Sequence, residues 1–505
     1  MTTNTAANIK ARLMVGMEIH VELATRSKMW TSAPNVAHPD YFDAEPNTLL
    51  DPVVIGMPGT LPVMNKEAVE MSMRVGLALG CEIARKCKWD RKSYYYPDLP
   101  KNYQISQYDQ PLVGEGTIEL PLTDDPNGPT KTIRILRAHL EEDAGKLAHE
   151  APGGRAIDHS IVDLNRAGTP LLEIVTEPDF ASADEAVRFG QVLRDICRHL
   201  GVSEGIMQKG HMRFEPNINV IIEKDGQTYK TPIVEIKNLN SFRAVHGAIT
   251  HEYDRQIEEW LSTGVVMGKR AKSTRGWDDV NMVTVMQRQK EDADEYRYFP
   301  DPDLVDLIVD QDWHDRVAKS IPELPLVKLR RYRGEFGLSE KDANALVDEP
   351  ATTSFYEAAL ALGMDPKRAA TMLLNYGLKR ANESSCRIDQ LGITPEQLKD
   401  IDALQAGDKI GSSAADTLFG LCCDSDEAAE KLANDNGLVQ VSDTGALEGF
   451  VDEVLANERN AKIVADIEGG KDAAVGALIG QIMKLSKGQA NPKMIREIII
   501  KKVRG

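Results

Sequence analysis

The seven residues from Met17 to Leu23 combine the side chains of a cation site with the pattern of a strand. They read Met-Glu-Ile-His-Val-Glu-Leu, so apolar residues alternate with Glu18, His20 and Glu22. A period of two places the three polar side chains on one face of the strand. An imidazole between two carboxylates suits a divalent cation with a nucleotide partner. A solvated strand face shows the same pattern, so further strands of this kind decide between the two interpretations.

A second strand-like stretch, RFEPNINVI, repeats the alternation with a richer set of polar groups. Arg213, Glu215, Asn217 and Asn219 fall on one face, and apolar residues fall on the other. A solvated face carries mostly Lys, Glu and Thr, so this mixed run indicates the floor of a site.

Acidic and basic residues recur in three more stretches. HLEEDAGK offers an imidazole with Glu141 and Glu142, although a solvated acidic turn has the same composition. Glu173 lies inside an apolar strand, where a carboxylate usually has a cation or an arginine as its partner. VEIKNLNSF places Glu235 and Lys237 on one face. Carboxylates and histidine for Mg²⁺, with lysine and arginine for phosphates, are the side chains of phosphoryl transfer.

Other chemistries fit these residues less well. Gly145-Lys146 is not a P-loop, because no glycine lies five residues earlier and Leu147 replaces the hydroxyl residue. The GSSAAD stretch from Gly411 lies in a region with a helical pattern. The sequence contains no H-E-x-x-H motif and no nucleophile elbow. We therefore find no nucleophile and base for glutamine hydrolysis.

The elements that position these residues alternate between strands and helices without a regular βαβ repeat. Strands are predicted over 132–137, 160–164, 171–176, 212–222 and 231–236. Helices are predicted from Asn65 to about Gly80, from a capping box at Ser182 and Glu185 to about residue 200, and between Ser241 and Gly264. This order predicts an α+β fold with an antiparallel sheet.

Chain length and proline positions predict several domains. A chain of 505 residues is too long for one core. The stretch YRYFPDPDL, with Pro300 and Pro302, indicates the end of the first domain near residue 302, and almost everything beyond it has a helical pattern. The last segment predicts two short helices separated near Asn491 and Pro492.

Composition predicts a cytoplasmic protein. Hydrophobic residues make up 42% and charged residues 27% of the chain, which is ordinary globular composition. No run approaches the roughly 18 apolar residues of a membrane span, and the N-terminus lacks the apolar core of a signal peptide. The six cysteines show no C-x-x-C spacing and fit reduced thiols.

The charge is distributed unevenly. The net charge of −18 argues against nucleic acid, yet the segment from Gln481 to Gly505 holds seven lysines and arginines and one acid. A basic tail on an acidic body is compatible with an RNA partner. The block WDRKSYYYPDLPKNYQISQYDQPL, dense in aromatic and basic residues, indicates either a half-exposed sheet face or a surface for bases or a nucleotide.

Together these stretches resemble the B subunit of the tRNA-dependent amidotransferase, the GatB family. They cover the chain in the family's order: MEIHVEL, GMPGTLPVMNKEAV, DRKSYYYPDLPKNYQISQYDQPL, HLEEDAGK, VDLNRAGTPLLEIVTEPD, EIKNLNSF, TRGWD, YRYFPDPDL and NPKMIREIIIKK. The resemblance implies a catalytic cradle with the fold of glutamine synthetase in residues 1–302. It further implies an all-helical domain in 303–405 and a YqeY-like, tRNA-binding helical tail in 406–505.

The resemblance also implies an activity and partners. The cradle would bind Mg²⁺ and ATP and phosphorylate the side-chain carboxylate of Glu or Asp misattached to tRNA, leading to Gln-tRNA(Gln) or Asn-tRNA(Asn). Ammonia would come from a glutaminase, the amidase of the complex, and a small third protein would complete a heterotrimer. By position, the implied metal ligands are Glu18, His20, Glu142 and Glu173. The implied catalytic residues are Glu142, Glu215 and Lys237. The implied cofactor contacts are Arg213, Lys237 and Asn217.

The sequence departs from the family in three places. Many relatives have a four-cysteine zinc knuckle where this chain reads SKMWTSAP and DPVVIGMPG, so we expect no zinc. Where the family often has Arg-Cys-Asp-Ala-Asn, this chain has RFEPN, so the carboxylate of Glu215 is one methylene longer. Residues 388–466 resemble the family's tail only weakly.

Two other functions fit parts of the sequence. A free-standing glutamine-synthetase-like ligase is disfavoured because a small substrate needs no basic helical tail. A non-catalytic tRNA-binding scaffold is the other alternative. ATP turnover with misacylated tRNA, with and without the amidase partner, separates these functions.

Overall fold

The computed structural model of the chain describes residues 2–4, 9–125, 127–151, 155–268, 272–289, 296–440, 444–486 and 490–505. These residues form two compact units, Met1–Lys328 and Leu329–Gly505. The first unit contains the sheet and the second is helical.

The strands and helices are numbered in chain order. The strands are β1 (Thr2–Asn4), β2 (Ile9–Glu22), β3 (Cys81–Ile83), β4 (Lys86–Cys87), β5 (Asp90–Ser93), β6 (Tyr103–Ser106), β7 (Val113–Pro121), β8 (Thr130–Glu142), β9 (Lys146–Ala151), β10 (Arg155–Asp163), β11 (Pro170–Thr176), β12 (Met212–Lys224), β13 (Gln227–Lys230), β14 (Val234–Lys237), β15 (Ser273–Asp278), β16 (Val283–Gln289), β17 (Phe299–Pro300) and β18 (Leu307–Ile308). The helices are α1 (Lys66–Ala78), α2 (Ala183–His199), α3 (Phe242–Thr263), α4 (Gln311–Lys319), α5 (Pro325–Gly334), α6 (Glu340–Val347), α7 (Pro350–Ala361), α8 (Pro366–Met372), α9 (Leu378–Glu383), α10 (Pro395–Ala406), α11 (Ser412–Cys423), α12 (Ala429–Asp435), α13 (Thr444–Leu455), α14 (Ala461–Glu468), α15 (Val475–Leu485) and α16 (Pro492–Arg504).

One sheet of 11 strands organises the first unit. Its order is β16-β15-β14-β12-β2-β11-β8-β7-β3, with β1 beside β2 and β13 beside β12. The pair β14–β15 is parallel, because α3 connects the two strands as a crossover and parallel neighbours need such a connection. The predicted α+β class is confirmed, and the sheet is mixed rather than antiparallel throughout.

Strand β2 lies at the centre of this sheet, between β11 and β12. Its residues Met17, Ile19 and Val21 are buried in the main core, to which α1, α2 and α3 contribute apolar side chains. Full burial of such a side chain contributes about 1.5–3 kcal/mol. Because a one-residue slip would turn all three toward the opposite face, the core fixes which face of β2 carries the polar residues.

Helix starts follow the predicted caps. The side chains of Asn65, Ser182 and Ser241 accept hydrogen bonds from backbone N–H groups in the first turns of α1, α2 and α3. The carboxylate of Glu185 accepts from the backbone N–H of Ala181 at 2.8 Å, one residue before the Ser182 N–H that a capping box would use. The predicted helices and their N-caps are otherwise confirmed.

The second unit consists of helices packed around two hydrophobic clusters. One cluster lies between Tyr332 and Ala433 and the other between Leu447 and Ile499. The predicted pair of tail helices is confirmed as α15 and α16, and the Asn491 side chain caps α16. The predicted stretch between them includes residues 487–489, which lie outside the described ranges.

The predicted division into three domains stays a prediction. The compact unit that begins the chain extends past residue 302, because Leu307, Val309 and Val317 pack into its core. Within the described ranges, no helix is both long enough and apolar enough to span a bilayer.

Candidate active site on the polar face of the sheet

Strand pairing gathers imidazoles and carboxylates on the face of the sheet opposite the core residues of β2. His20 of β2 pairs with Glu173 of β11, which pairs with His139 of β8. The Oε2 atom of Glu173 lies 3.4 Å from Nε2 of His20 and 3.3 Å from Nε2 of His139. Ligand atoms of His20, Glu141 and Glu173 all lie within 4.8 Å of one another. We call these three residues the histidine cluster.

The ionisation of the histidine cluster is set by its own charges. Burial alone lowers the pKa of His139, but the charges of Glu173 and Glu141 outweigh burial and raise that pKa to about 9. Burial likewise lowers the pKa of His20, yet the hydrogen bond with Glu173 and the charge of Glu215 bring it above its ordinary value. Burial raises the pKa of Glu173, but the two imidazoles hold it well below its usual range. Without a cation, the carboxylates of the cluster therefore favour the protonated forms of the His20 ring and of the neighbouring His139 ring.

A second group of carboxylates lies on the same face. Ligand atoms of Glu18, Glu215 and Glu235 lie within 4.8 Å of one another. Lys237 Nζ lies 2.6 Å from Oε2 of Glu215 and 3.0 Å from Oε1 of Glu235, and Asn217 Nδ2 donates to Oε1 of Glu18 at 2.9 Å. We call Glu18, Glu215 and Glu235, with Lys237, the lysine cluster.

The two clusters adjoin each other. His20 Nδ1 lies 4.0 Å from Oε1 of Glu215. Burial lowers the pKa of Lys237, but Glu215 and Glu235 outweigh burial and raise it above its ordinary range. A stable ammonium group thus occupies the lysine cluster, whereas Glu173 of the histidine cluster is balanced by imidazoles, of which that of His139 loses its proton at moderately alkaline pH.

The structure does not bring Glu142 together with the other predicted metal ligands. Successive residues of a strand point to opposite faces, so Glu142 lies opposite its neighbour Glu141. Its carboxylate accepts from the backbone N–H of Ile105 at 2.9 Å and from Nζ of Lys101. The neighbouring Glu141 lies with His20 instead. Of the predicted ligands, His20 and Glu173 fall in one cluster and Glu18 falls in the other.

Arg213, the predicted cofactor contact, is held by an acidic residue of HLEEDAGK. Its Nη2 donates to Oδ2 of Asp143 at 2.5 Å, and Nε of Arg166 lies 3.5 Å from the same oxygen. Burial and the charge of Asp143 together raise the pKa of Glu22 to about 8, despite the two arginines. The surroundings of Glu22, the third polar residue of the opening stretch, therefore favour its neutral form.

Lys92 is a site residue that the sequence analysis did not single out. Its Nζ lies 3.9 Å from Oε2 of Glu141 and 5.4 Å from the centre of the Tyr296 ring. Burial lowers its pKa, but Glu141 and further negative groups outweigh burial and raise it well above the ordinary value. The sequence feature that could have indicated Lys92 is its position in the tyrosine-rich block WDRKSYYYPDLPKNYQISQYDQPL.

A lysine associated with each cluster lines a cavity of about 770 Å³. Lys92, which contacts Glu141 of the histidine cluster, and Lys237 of the lysine cluster both line it. The tyrosine-rich block supplies much of the wall through Tyr94, Tyr95 and Tyr96. A molecule in this cavity would meet two ammonium groups, with carboxylates behind them and aromatic rings beside them.

The donor set fits a divalent cation that prefers oxygen. The histidine cluster offers two carboxylates and one imidazole, and Nδ1 of His20 is buried without a hydrogen-bond partner among the described residues. Three carboxylates form the other group. Such carboxylate-rich sets favour Mg²⁺ or Mn²⁺ over softer metals.

Two family models match the chain in sequence order. The GatB/GatE catalytic domain matches residues 13–315, which include the sheet and both clusters. The GatB domain matches residues 354–503, which include the segment 388–466.

Full-length relatives support the same assignment. The chain is 43% identical over 486 residues to the B subunit of the aspartyl/glutamyl-tRNA(Asn/Gln) amidotransferase of Oceanobacillus iheyensis, covering 96% of this chain and 98% of the relative. The proteins of the same name from Geobacillus thermodenitrificans and Listeria monocytogenes are each 43% identical, over 491 and 490 residues, and each match covers 97% of this chain and 98% of the relative. Because the catalytic-domain model alone matches more than half of the chain and these relatives match almost all of it, the chain belongs to the GatB/GatE family.

Proposed function

We propose that this chain is the B subunit of an aminoacyl-tRNA amidotransferase, a carbon–nitrogen ligase of protein biosynthesis that acts in the cytoplasm. Its substrates would be Glu-tRNA(Gln), Asp-tRNA(Asn) or both. The side-chain carboxylate oxygen of the Glu or Asp attached to tRNA attacks the γ-phosphorus of ATP, and ADP leaves. Ammonia then attacks the acyl carbon, phosphate leaves, and the nitrogen loses a proton to give the amide.

The cavity lined by Lys92 and Lys237 is the observation that carries this proposal. Phosphoryl transfer needs cations around the transferred group and little covalent help from the protein. Lys92 and Lys237 bring two ammonium groups to the cavity, and each is held by a carboxylate of a neighbouring cluster. A carboxylate substrate and a triphosphate would both be attracted to this space.

The clusters support roles for several of the predicted residues, whereas Glu142 lies in neither cluster. The histidine cluster would hold one Mg²⁺ and the carboxylates of the lysine cluster a second. Bound Mg²⁺ would neutralise charge on the phosphates. Glu215 and Lys237 remain the proposed catalytic residues, with Asn217 holding Glu18. Arg213 remains a proposed cofactor contact, and Glu141 replaces Glu142 as the proposed metal ligand.

The ammonia source and the partners are proposed together. The sequence offers no nucleophile and base for glutamine hydrolysis, so we propose that an amidase with glutaminase activity and a small third protein complete a heterotrimer. The relatives are named as subunits, which supports a multi-protein enzyme and disfavours the free-standing ligase. We expect no zinc in the purified chain, which metal analysis tests.

The tail is the proposed tRNA contact, and the structure sharpens which residues to test. Lys502 lies 2.6 Å from Asp452, and Arg504 lies 2.5 Å from Asp472, so these two charges are balanced locally. Four other basic residues of the tail are exposed: Lys484, Lys493, Arg496 and Lys501. The seventh basic residue, Lys487, lies outside the described ranges.

The decisive experiment is amidation of both mischarged tRNAs by the reconstituted heterotrimer. We expect ATP-dependent formation of Gln-tRNA or Asn-tRNA with glutamine as donor, and no glutamine-dependent product from the purified chain alone. Misacylated tRNA should stimulate ATP turnover. A complex that binds tRNA without turning over ATP would identify the chain as a scaffold and refute the proposal.

A salt titration tests the tail. Replacing Lys493, Arg496 and Lys501 with glutamine should flatten the slope of log affinity for tRNA against log salt by about 2–3 units, at roughly 0.7–0.9 per lost phosphate contact. The KM for tRNA should rise while kcat changes little. The matched control replaces Lys66, Lys86 and Lys319, three exposed lysines of the first unit. Equal slopes in the two triple variants would leave the tail with a structural role.

A further inference from the structure

Lys28 is a fully buried lysine whose ammonium group contacts a backbone turn. Its side chain is 0% exposed. Its Nζ donates to the carbonyl oxygens of Asn165 and Ala167 at 2.8 and 2.6 Å, and the carbonyl of Leu164 lies 3.4 Å away. A lysine ammonium has three N–H donors, so one turn engages all of them. We call residues 164–169 the carbonyl turn.

A charged group in this position carries a desolvation cost. Burial lowers the pKa of Lys28 to about 8, although Asp51, Glu142 and Asp163 act in the opposite direction. An apolar side chain of similar length would fill the same space without that cost. It would leave the carbonyl oxygens of Asn165 and Ala167 without this donor, whereas that of Leu164 still accepts from the backbone N–H of Ala167 at 3.0 Å. The ammonium group therefore stabilises the turn rather than the hydrophobic core.

The carbonyl turn also binds residues 143–145, near the end of the HLEEDAGK stretch. Arg166, inside the turn, donates from Nε to the carbonyl of Ala144 at 3.0 Å and from Nη2 to the carbonyl of Gly145 at 2.6 Å. The backbone N–H of Gly168 donates to the carbonyl of Asp143 at 2.9 Å. The backbone N–H of Asp143 donates to the carbonyl of Thr169 at 2.8 Å, so four hydrogen bonds join residues 143–145 to the carbonyl turn.

Residues 143–145 lie directly against the proposed active site. The carboxylate of Asp143 accepts from Arg213 at 2.5 Å, and Ala144 lines the 770 Å³ cavity. Asp143 also follows Glu141 of the histidine cluster by two residues. A displacement of this segment would move a guanidinium group and a wall of the cavity together.

We propose that Lys28 is a positioning residue for amidation, which acts through the carbonyl turn to hold Ala144 at the cavity wall and Asp143 against Arg213. This inference rests on the proposed function. Lys28 touches neither the cavity nor the clusters' ligand atoms in the contacts that the described residues record, so its effect travels through backbone hydrogen bonds. Supporting residues that orient a site typically change activity by about 10- to 100-fold, because small misplacements of reacting groups are costly.

The test removes the ammonium group and then supplies it again. Lys28→Ala in the reconstituted heterotrimer should lower kcat for amidation about 10- to 100-fold, with KM for tRNA within about twofold and glutaminase activity retained. Lysine exceeds alanine by a propylammonium group. Added n-propylammonium should therefore restore kcat in a saturable way. The product is scored as unsubstituted amide by mass spectrometry, so that any product of the amine itself is not counted.

Two further variants separate positioning from stability. Lys86→Ala removes an exposed lysine of the same unit and should match the wild type with and without amine. Arg166→Gln removes the hydrogen bonds from the carbonyl turn to the carbonyls of Ala144 and Gly145. Because the Arg166 side chain is partly exposed, this variant should still fold. It should show the same loss of kcat, without rescue by the amine. The double variant Lys28→Ala/Arg166→Gln should lose little more than either single variant.

The outcomes are distinct. A kcat near the wild-type value in either Lys28→Ala or Arg166→Gln would overturn the inference. So would a loss in Lys28→Ala that follows a lower folded fraction and does not respond to the amine. If Lys28→Ala does not fold, Arg166→Gln alone decides the question. Absence of amidation by the wild-type complex under the same conditions would refute the proposed function instead.

Discussion

The histidine cluster and the lysine cluster lie side by side and use the same carboxylate chemistry, yet they are neutralised differently. In the first, Glu173 meets the two imidazoles of His20 and His139. In the second, a lysine ammonium lies between two carboxylates. An imidazole can release its proton and bind a cation, whereas an ammonium must move or be displaced. The histidine cluster is therefore the better candidate for a resident cation, and the lysine cluster for one that arrives with substrate.

The largest expected effect comes from the carboxylate that both imidazoles share. Glu173→Gln keeps the shape of the side chain but removes the charge, and it should lower amidation by more than about 100-fold. Glutaminase activity of the complex should remain. Glu115→Gln, at an exposed position on β7, is the matched control. Undiminished amidation in Glu173→Gln would remove the histidine cluster from the mechanism.

Two adjacent residues offer the sharpest test of which carboxylate belongs to the cluster. Glu141→Gln should weaken Mn²⁺ binding by at least about tenfold, because its ligand atom is part of the cluster. Glu142→Gln should leave Mn²⁺ affinity within about twofold, because its carboxylate contacts Lys101 and the backbone of Ile105. Electron paramagnetic resonance titration measures both. The reverse order of affinities would restore Glu142 as the ligand.

The lysine cluster makes the opposite prediction. Lys237→Met removes the positive charge between Glu215 and Glu235, so a divalent cation should bind there more tightly, by at least about tenfold even at the dielectric constant of bulk water. Amidation should nevertheless fall, because an ammonium group is lost from the cavity. Measuring Mn²⁺ binding in a Glu173→Gln background isolates this cluster. Weaker binding after Lys237→Met would contradict the assignment of Lys237 as a competitor for the cation.

Proton release gives the smallest but most direct contrast. Without metal, the pKa of His139 is raised to about 9 and that of His20 lies above its ordinary value, so each ring holds its proton more tightly than a free imidazole does. Mn²⁺ binding to the histidine cluster should release about one proton, and its affinity should increase with pH until the rings are neutral. Calorimetry in buffers of different ionisation enthalpy measures this number. In Glu173→Gln, Mn²⁺ that still binds at the lysine cluster should bind without this proton release.

Alternation within single strands was enough to predict which side chains share a face. Glu18 and His20 on β2, and Arg213, Glu215 and Asn217 on β12, all point to the side of the sheet that the pattern indicates. The core enforces this result, because the opposite phase would bury charges and expose apolar side chains. Helix caps were predictable for the same reason, since each depends on a few neighbouring residues.

The composition of each cluster was not predictable from such local patterns. Glu141 and Glu142 are both acidic, and the pairing of His139 with Glu173 on another strand decides which of them joins the imidazoles. The pairing of Glu18 with Glu215 likewise depends on the register between β2 and β12. Register between distant strands is a property of the whole sheet, and no short stretch of sequence specifies it.

The central position of β2 has a consequence for how the protein is made. Asn217, which donates to Glu18, follows it by 199 residues. At a synthesis rate of about 5–20 residues per second, β2 waits about 10–40 s for β12 to be made. Until β11 and β12 are made, the apolar side chains of Met17, Ile19 and Val21 lie on a strand without its two main neighbours. Early binding of a chaperone to the nascent chain would shield them. The residues of the histidine cluster are all present once β11 is made, and those of the lysine cluster only after β14.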